Sequence, residues 1–109
     1  MNVEQIRQYC LSKELATECL PFGPDHLVFK VNNKMFLLLS LIADPSTINV
    51  KCDPEKALEL RAAYDCIVPG YHMNKKHWNT IIIEHYLMAD EIKKWIDDSY
   101  DLVRKVKKS

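Results

Sequence analysis

Glycine is scarce in this sequence: only Gly23 and Gly70 occur in 109 residues. That excludes a glycine-rich phosphate loop, which needs several glycines so that backbone N–H groups can crowd round a phosphate. No Cys-x-x-Cys pair is present. Cys10, Cys19, Cys52 and Cys66 are separated by 9, 33 and 14 positions, and those spacings match no zinc knuckle. His-Glu-x-x-His and Gly-x-Ser-x-Gly are missing, and no pair of carboxylates clusters as acid–base chemistry would need. The longest apolar stretch, around Met35, is interrupted by Ser40 and is far too short to span a bilayer. The chain opens on a charged, helix-like segment rather than a basic and then apolar run, so no signal peptide is expected. Free thiols then suit a reducing compartment, and a soluble cytoplasmic protein is expected.

Net charge is also lacking. Fifteen Lys and Arg balance fifteen Asp and Glu, which gives no support for nucleic-acid binding but does not exclude it. Four of the basic residues, Arg104, Lys105, Lys107 and Lys108, stand at the end of the chain, where a solvated tail is the ordinary outcome. What the chain has is apolar content, 48%. At this length that is enough for one domain over residues 1–109, with a core that requires neither disulfide nor metal.

The apolar pattern divides the chain into elements. Val3, Ile6, Cys10 and Leu11 predict a helix over 3–15, with Asn2 as its cap and Gln5 completing a capping box. Two prolines and Gly23 break the chain over 20–25. His26 to Val31 and Lys34 to Leu41 read as strands joined at Asn32-Asn33, since asparagine tolerates left-handed backbone angles. Thr47 to Lys51 is a third strand, and short connections make the three an antiparallel meander. Asp53-Pro54 starts a second helix running to Tyr64. Residues 67–77 read as an ordered loop, and 78–83 as a further strand with Trp78 as a core anchor. Asp90 is positioned to cap a last helix over 91–105. Its inner stripe is Ile92, Trp95, Ile96, Ser99, Val103 and Val106. The expected fold class is α+β: a small antiparallel sheet covered on one face by the N- and C-terminal helices, with the other face at least partly exposed.

One run is unusual enough to be specific: Pro69-Gly70-Tyr71-His72-Met73-Asn74-Lys75-Lys76-His77-Trp78-Asn79-Thr80. With Pro21-Phe22-Gly23, the segments 28–31 and 34–36, Asn49 to Pro54 and Asp98 to Val103, it resembles the MmcQ/YjbR family over nearly the whole chain. The resemblance implies a CyaY-like, or frataxin-like, fold and a DNA-binding role through a "double wing" arrangement. It implies no particular catalytic activity.

The candidate site residues follow. Lysines neutralise phosphates, Asn and His hydrogen-bond to sugar or base, and aromatic rings stack. Lys30, Lys34, Lys51, Lys75 and Lys76 are therefore expected at phosphate. Tyr71, His72, Asn74 and His77 are expected at sugar or base. Gly70 allows a turn or a close approach. DNA binding through so few contacts is expected to be weak and salt-dependent. The alternative is a protein–protein interaction module without nucleic-acid binding, favoured by an exposed apolar patch bordering the 69–77 loop. A small-molecule or cysteine-dependent function would need a pocket beside Cys52 or His72. Cys52 precedes a helix start that would favour its thiolate, although packing at a strand end explains it more simply. No catalytic residue, metal site or cofactor is expected. An acidic iron-binding ridge of the frataxin kind is not supported, because Glu4, Glu14 and Glu18 are too sparse for a hard cation.

Overall fold

The computed structural model describes residues 1–70 and 73–105. Three helices and six strands run in the order α1 Val3–Leu11, β1 Thr17–Cys19, β2 His26–Val31, β3 Lys34–Ser40, β4 Thr47–Lys51, α2 Pro54–Ala63, β5 Ile67–Pro69, β6 Trp78–Ile82 and α3 Ala89–Arg104. The strands form one antiparallel sheet in the order β1-β2-β3-β4-β6-β5.

All three helices contribute to one core. Ile6 and Cys10 of α1, Ala57 and Leu60 of α2, and Ile92, Trp95, Ile96, Tyr100 and Val103 of α3 pack with Leu27, Phe29, Leu37, Leu39, Ile48, Val50 and Ile81 of the sheet. Each large apolar side chain removed from water in this way contributes about 1.5–3 kcal/mol. Phe36 joins the same face because the pairing of β2 with β3 shifts register between Phe29 and Lys30. That bulge lets two successive β3 residues, Phe36 and Leu37, both enter the core.

The hairpin turn forms as expected, with Asn32 and Asn33 at φ 51° and 62°. The Asn2–Gln5 capping box is present. Other expectations are corrected. The first helix stops at Leu11, and Leu15 takes φ 62° as the chain turns into β1. β5 is a strand where a loop was expected, and β1 is a strand in a stretch for which no element was expected. Each has three residues, too few for any period to emerge, and each is held by pairing to a longer neighbour. α3 starts two residues early. Its N-cap is Met88, whose N–H donates to Glu91 Oε1 at 3.2 Å, and Asp90 lies inside the first turn. Val106 lies outside the described residues. Trp78 is not a core anchor: it opposes Lys51 on the sheet face that carries no helix, and it is half-buried there. Trp95 is the core tryptophan.

Candidate nucleic-acid interface

Strand alternation assigns every sheet residue to a face. The helix-free face carries Lys30 opposite Met35, Leu38 opposite Asn49, Asn49 opposite Thr80 and Lys51 opposite Trp78. Thr80 Oγ1 donates to Asn49 Oδ1 at 2.5 Å in the middle of it. Lys34 differs. It opposes Val31, a core residue, so it projects on the helix side of the hairpin. Lys30 and Lys34 flank one turn but leave it on opposite faces.

The antiparallel order also fixes the ends. β2 and β4 run in the same direction. The Asn32-Asn33 turn, Lys51, the start of β6 and the end of β5 therefore share one end of the sheet. The segment joining β5 to β6 begins and ends there. α3 finishes at the same end, where Asn32 Nδ2 donates to the Arg104 carbonyl at 3.1 Å. Arg104 and Lys105 thus stand beside the hairpin turn. Their charge is visible in the sequence; the contact across 72 positions that brings them there is not.

The 73–77 segment is tied down by its own backbone and by α2. Asn74 Oδ1 accepts from the Lys76 N–H at 2.9 Å, and its carbonyl accepts from the Trp78 N–H at 2.9 Å. Arg61 reaches across from α2, its Nη2 donating to the Lys75 carbonyl at 3.0 Å. The His77 carbonyl accepts from the Cys52 N–H at 2.7 Å. Asn74, Lys75 and Lys76 are exposed, whereas Met73 and His77 are half-buried. Tyr71 and His72 lie outside the described residues. Gly70 packs closely on Trp78: a Cβ there would lie 2.8 Å from Trp78 Cβ and 2.9 Å from its carbonyl oxygen. Among the described residues, the ion pairs are Arg7 with Glu4 and Glu18, Lys13 with Asp97, Lys56 with Glu59, Lys94 with Asp98 and Arg104 with Glu14. None involves Lys30, Lys34, Lys51, Lys75 or Lys76. Glu55, Glu59, Asp97 and Asp98 belong to α2 and α3, on the other side of the sheet.

The helix-free face is apolar as well as basic. Phe22, His26, Met35, Leu38 and Met73 line a groove of about 280 Å3 on it. Phe22, 65% exposed, is the most open of the large apolar residues lining this groove.

Cys52 is buried, and burial first, then the charge of Asp98, pushes its thiol up to about 11. The helix start therefore does not produce a thiolate, because desolvation outweighs the favourable end of the helix. Asp53, despite its position, makes no side-chain cap. Among the described residues no group of three or more His, Cys, Asp or Glu is arranged to hold a metal ion. No helix among them is long and apolar enough to cross a membrane.

The YjbR family model matches residues 11–102 of the chain. The uncharacterized protein YbdF of Escherichia coli O157:H7 is 38% identical over 100 residues, covering 92% of this chain and 82% of that protein. The uncharacterized protein YjbR of Escherichia coli K12 is 27% identical over the same length, covering 92% and 85%. Among solved structures, Deinococcus radiodurans protein DR2400, with domain DUF419, superposes with a TM-score of 0.90 at 37% identity, covering 95% of this chain and 79% of that one. A Pseudomonas syringae protein gives a TM-score of 0.83 at 34% identity, covering 95% and 100%. The chain belongs to the MmcQ/YjbR family.

Proposed function

We propose that this protein binds DNA, weakly and through phosphate, with the helix-free face of its sheet and the loops at the adjoining end. The observation that carries the reading is the register. Lys30 and Lys51 share that face and that end, the Lys75–Lys76 segment returns to the same end, and the helical carboxylates are on the opposite side. Four lysines with no ion-pair partner among the described residues, facing one polyanion, would release counterions from it, and such contacts carry no sequence information. Asn74 is exposed beside Lys75 and Lys76, where its amide is proposed to meet sugar or phosphate. Tyr71, His72 and His77 complete the proposed contact set, in a CyaY-like frame whose two hairpin ends act as wings. The reduced thiols fit a cytoplasmic location.

The test is fluorescence anisotropy with a labelled duplex at low salt. Exchanging Lys30 and Lys51 together for Ala is expected to weaken binding several-fold regardless of DNA sequence. Lys34→Ala is expected to change it little, because that residue leaves the turn on the other face. Equal losses from all three lysines would move the contact to the hairpin tip. No loss from the double exchange would refute the reading.

A second reading rests on the apolar groove of Phe22, Met35, Leu38 and Met73. It fits a side chain of a protein partner, and apolar patches of this kind mark such contacts. Leu38→Lys would abolish a partner held there while leaving phosphate binding intact or stronger.

A further inference from the structure

Beside Cys52, on the helix side of the molecule, α2 and α3 separate enough to leave a cavity of about 400 Å3. That is within the size range of small-molecule sites. Its apolar lining is Cys52, Leu60, Trp95 and Leu102. Trp95 is held in place: Tyr64 packs edge-on against it at 5.1 Å, and the Tyr64 hydroxyl donates to Glu91 Oε2 at 2.8 Å. A buried aromatic ring fixed by such a contact is a preorganised surface, with little ordering left to be done on binding.

The polar lining is unbalanced. Asp53, Asp98 and Asp101 supply three carboxylates against the two ammonium groups of Lys56 and Lys105. Among the described residues Asp53 and Asp101 have no ion-pair partner, and Asp53 makes no helix cap. Asp98 pairs only with exposed Lys94, at 3.5 Å. Behind Cys52, the buried Asn79 donates Nδ2 to the Ala57 carbonyl at 3.2 Å, and its Oδ1 has no hydrogen-bond partner among the described residues.

We propose that this cavity is a binding site for a small molecule with a flat apolar body and a protonated amine. The body would lie against Trp95, Leu60 and Leu102, and the amine would meet Asp98 and Asp101. The site opens on the helix side of the sheet, whereas Lys30 and Lys51 project from the other face.

Three probes that share one ring system and differ in charge test it: tryptamine, indole and indole-3-acetate. Each is titrated to about 10 mM, where millimolar affinities saturate, and binding is read from the indole N–H resonance of Trp95 and the amide of Cys52. Saturable shifts centred on those two signals are expected, with tryptamine tighter than indole by about threefold and indole-3-acetate weakest, the scale of one exposed charge contact. The D98N/D101N pair, altered at surface positions, is expected to bring tryptamine down to the affinity of indole while leaving indole unchanged. No saturable shift with any probe, equal affinity for all three, or indole-3-acetate ahead of tryptamine would overturn the proposal.

Discussion

The hydroxyl of Ser99 accepts the backbone N–H of Lys51 at 2.8 Å and is fully buried beneath α3. The same hydroxyl donates to the carbonyl of Phe36 at 2.5 Å. One side chain thus satisfies two strand groups where the β3 bulge and the end of β4 leave the ladder incomplete. It also fixes the strand position from which Lys51 projects on the other face.

Ser99→Ala leaves a buried N–H and a buried carbonyl without partners. The expected loss is about 2–4 kcal/mol, since each unsatisfied group costs roughly 1–3 kcal/mol. Urea unfolding measures it, and faster hydrogen exchange at the Lys51 amide locates it. An unchanged midpoint would mean that water replaces the hydroxyl.

Gly70→Ala tests the close approach of β5 to β6. Its new Cβ would meet the backbone and Cβ of Trp78, neither of which can swing away. A loss of about 1–3 kcal/mol is expected, as for other overpacked sites. The Trp78 indole resonance should shift more than that of Trp95. A variant as stable as the parent would show that the two strands part easily.

How far the sequence is legible follows from the range of each signal. The Asn32-Asn33 turn and the bounds of β4 are local, and both are readable from adjacent residues. β1 and β5 are not, because three residues carry no period and their partners define them. The run from Trp78 reads as a strand, but its face depends on the register with β4, so Trp78 passes for a core residue. At the candidate site the lysines are visible as residues. That Lys30 and Lys34 diverge, or that Arg61 fastens the Lys75 backbone from α2, depends on contacts between distant segments. Asp53-Pro54 announces a helix start, yet the burial that decides the state of Cys52 comes from α2 and α3 together.

The edge strand β1 is fastened to α1 by Arg7, whose Nε and Nη2 donate to the two Glu18 oxygens at 2.8 and 2.7 Å. That hydrogen bonding holds the Glu18 carboxyl below its ordinary range. A carboxyl held low binds fewer protons in the folded than in the unfolded chain. Its contribution is present above the unfolded value, about 4.3, and is lost as pH falls through the folded one. Glu18→Gln is expected to cost no more than about 1 kcal/mol at neutral pH, as the pair is partly exposed. The difference from the parent should vanish towards pH 3 in denaturant titrations. A difference independent of pH would assign the effect to packing.

The four thiols should separate by reactivity. Burial pushes the Cys10 thiol up to about 12 and, with Asp98, the Cys52 thiol up to about 11. Cys66 is buried, and Cys19 is half-exposed on β1. A disulfide reagent at pH 7.5 should label Cys19 first, with Cys10 and Cys66 reacting only at the rate of unfolding and Cys52, which lines the cavity but whose thiol is held protonated, far more slowly than Cys19. Labelling of Cys52 in the folded protein as fast as that of Cys19 would contradict the upward push on its thiol.

On the proposed reading, lysines with no ion-pair partner among the described residues, at one end of the helix-free face, hold DNA by its phosphates. The most direct measurement is the salt dependence of DNA affinity, by anisotropy from about 50 mM salt upward with duplex and single strands. Contacts by Lys30, Lys51, Lys75 and Lys76 give a log–log slope of about −3.6 for duplex DNA, and K75A/K76A should reduce its magnitude by about 1.8. Absence of binding to both forms at the lowest salt, or a slope untouched by those substitutions, would contradict the claim.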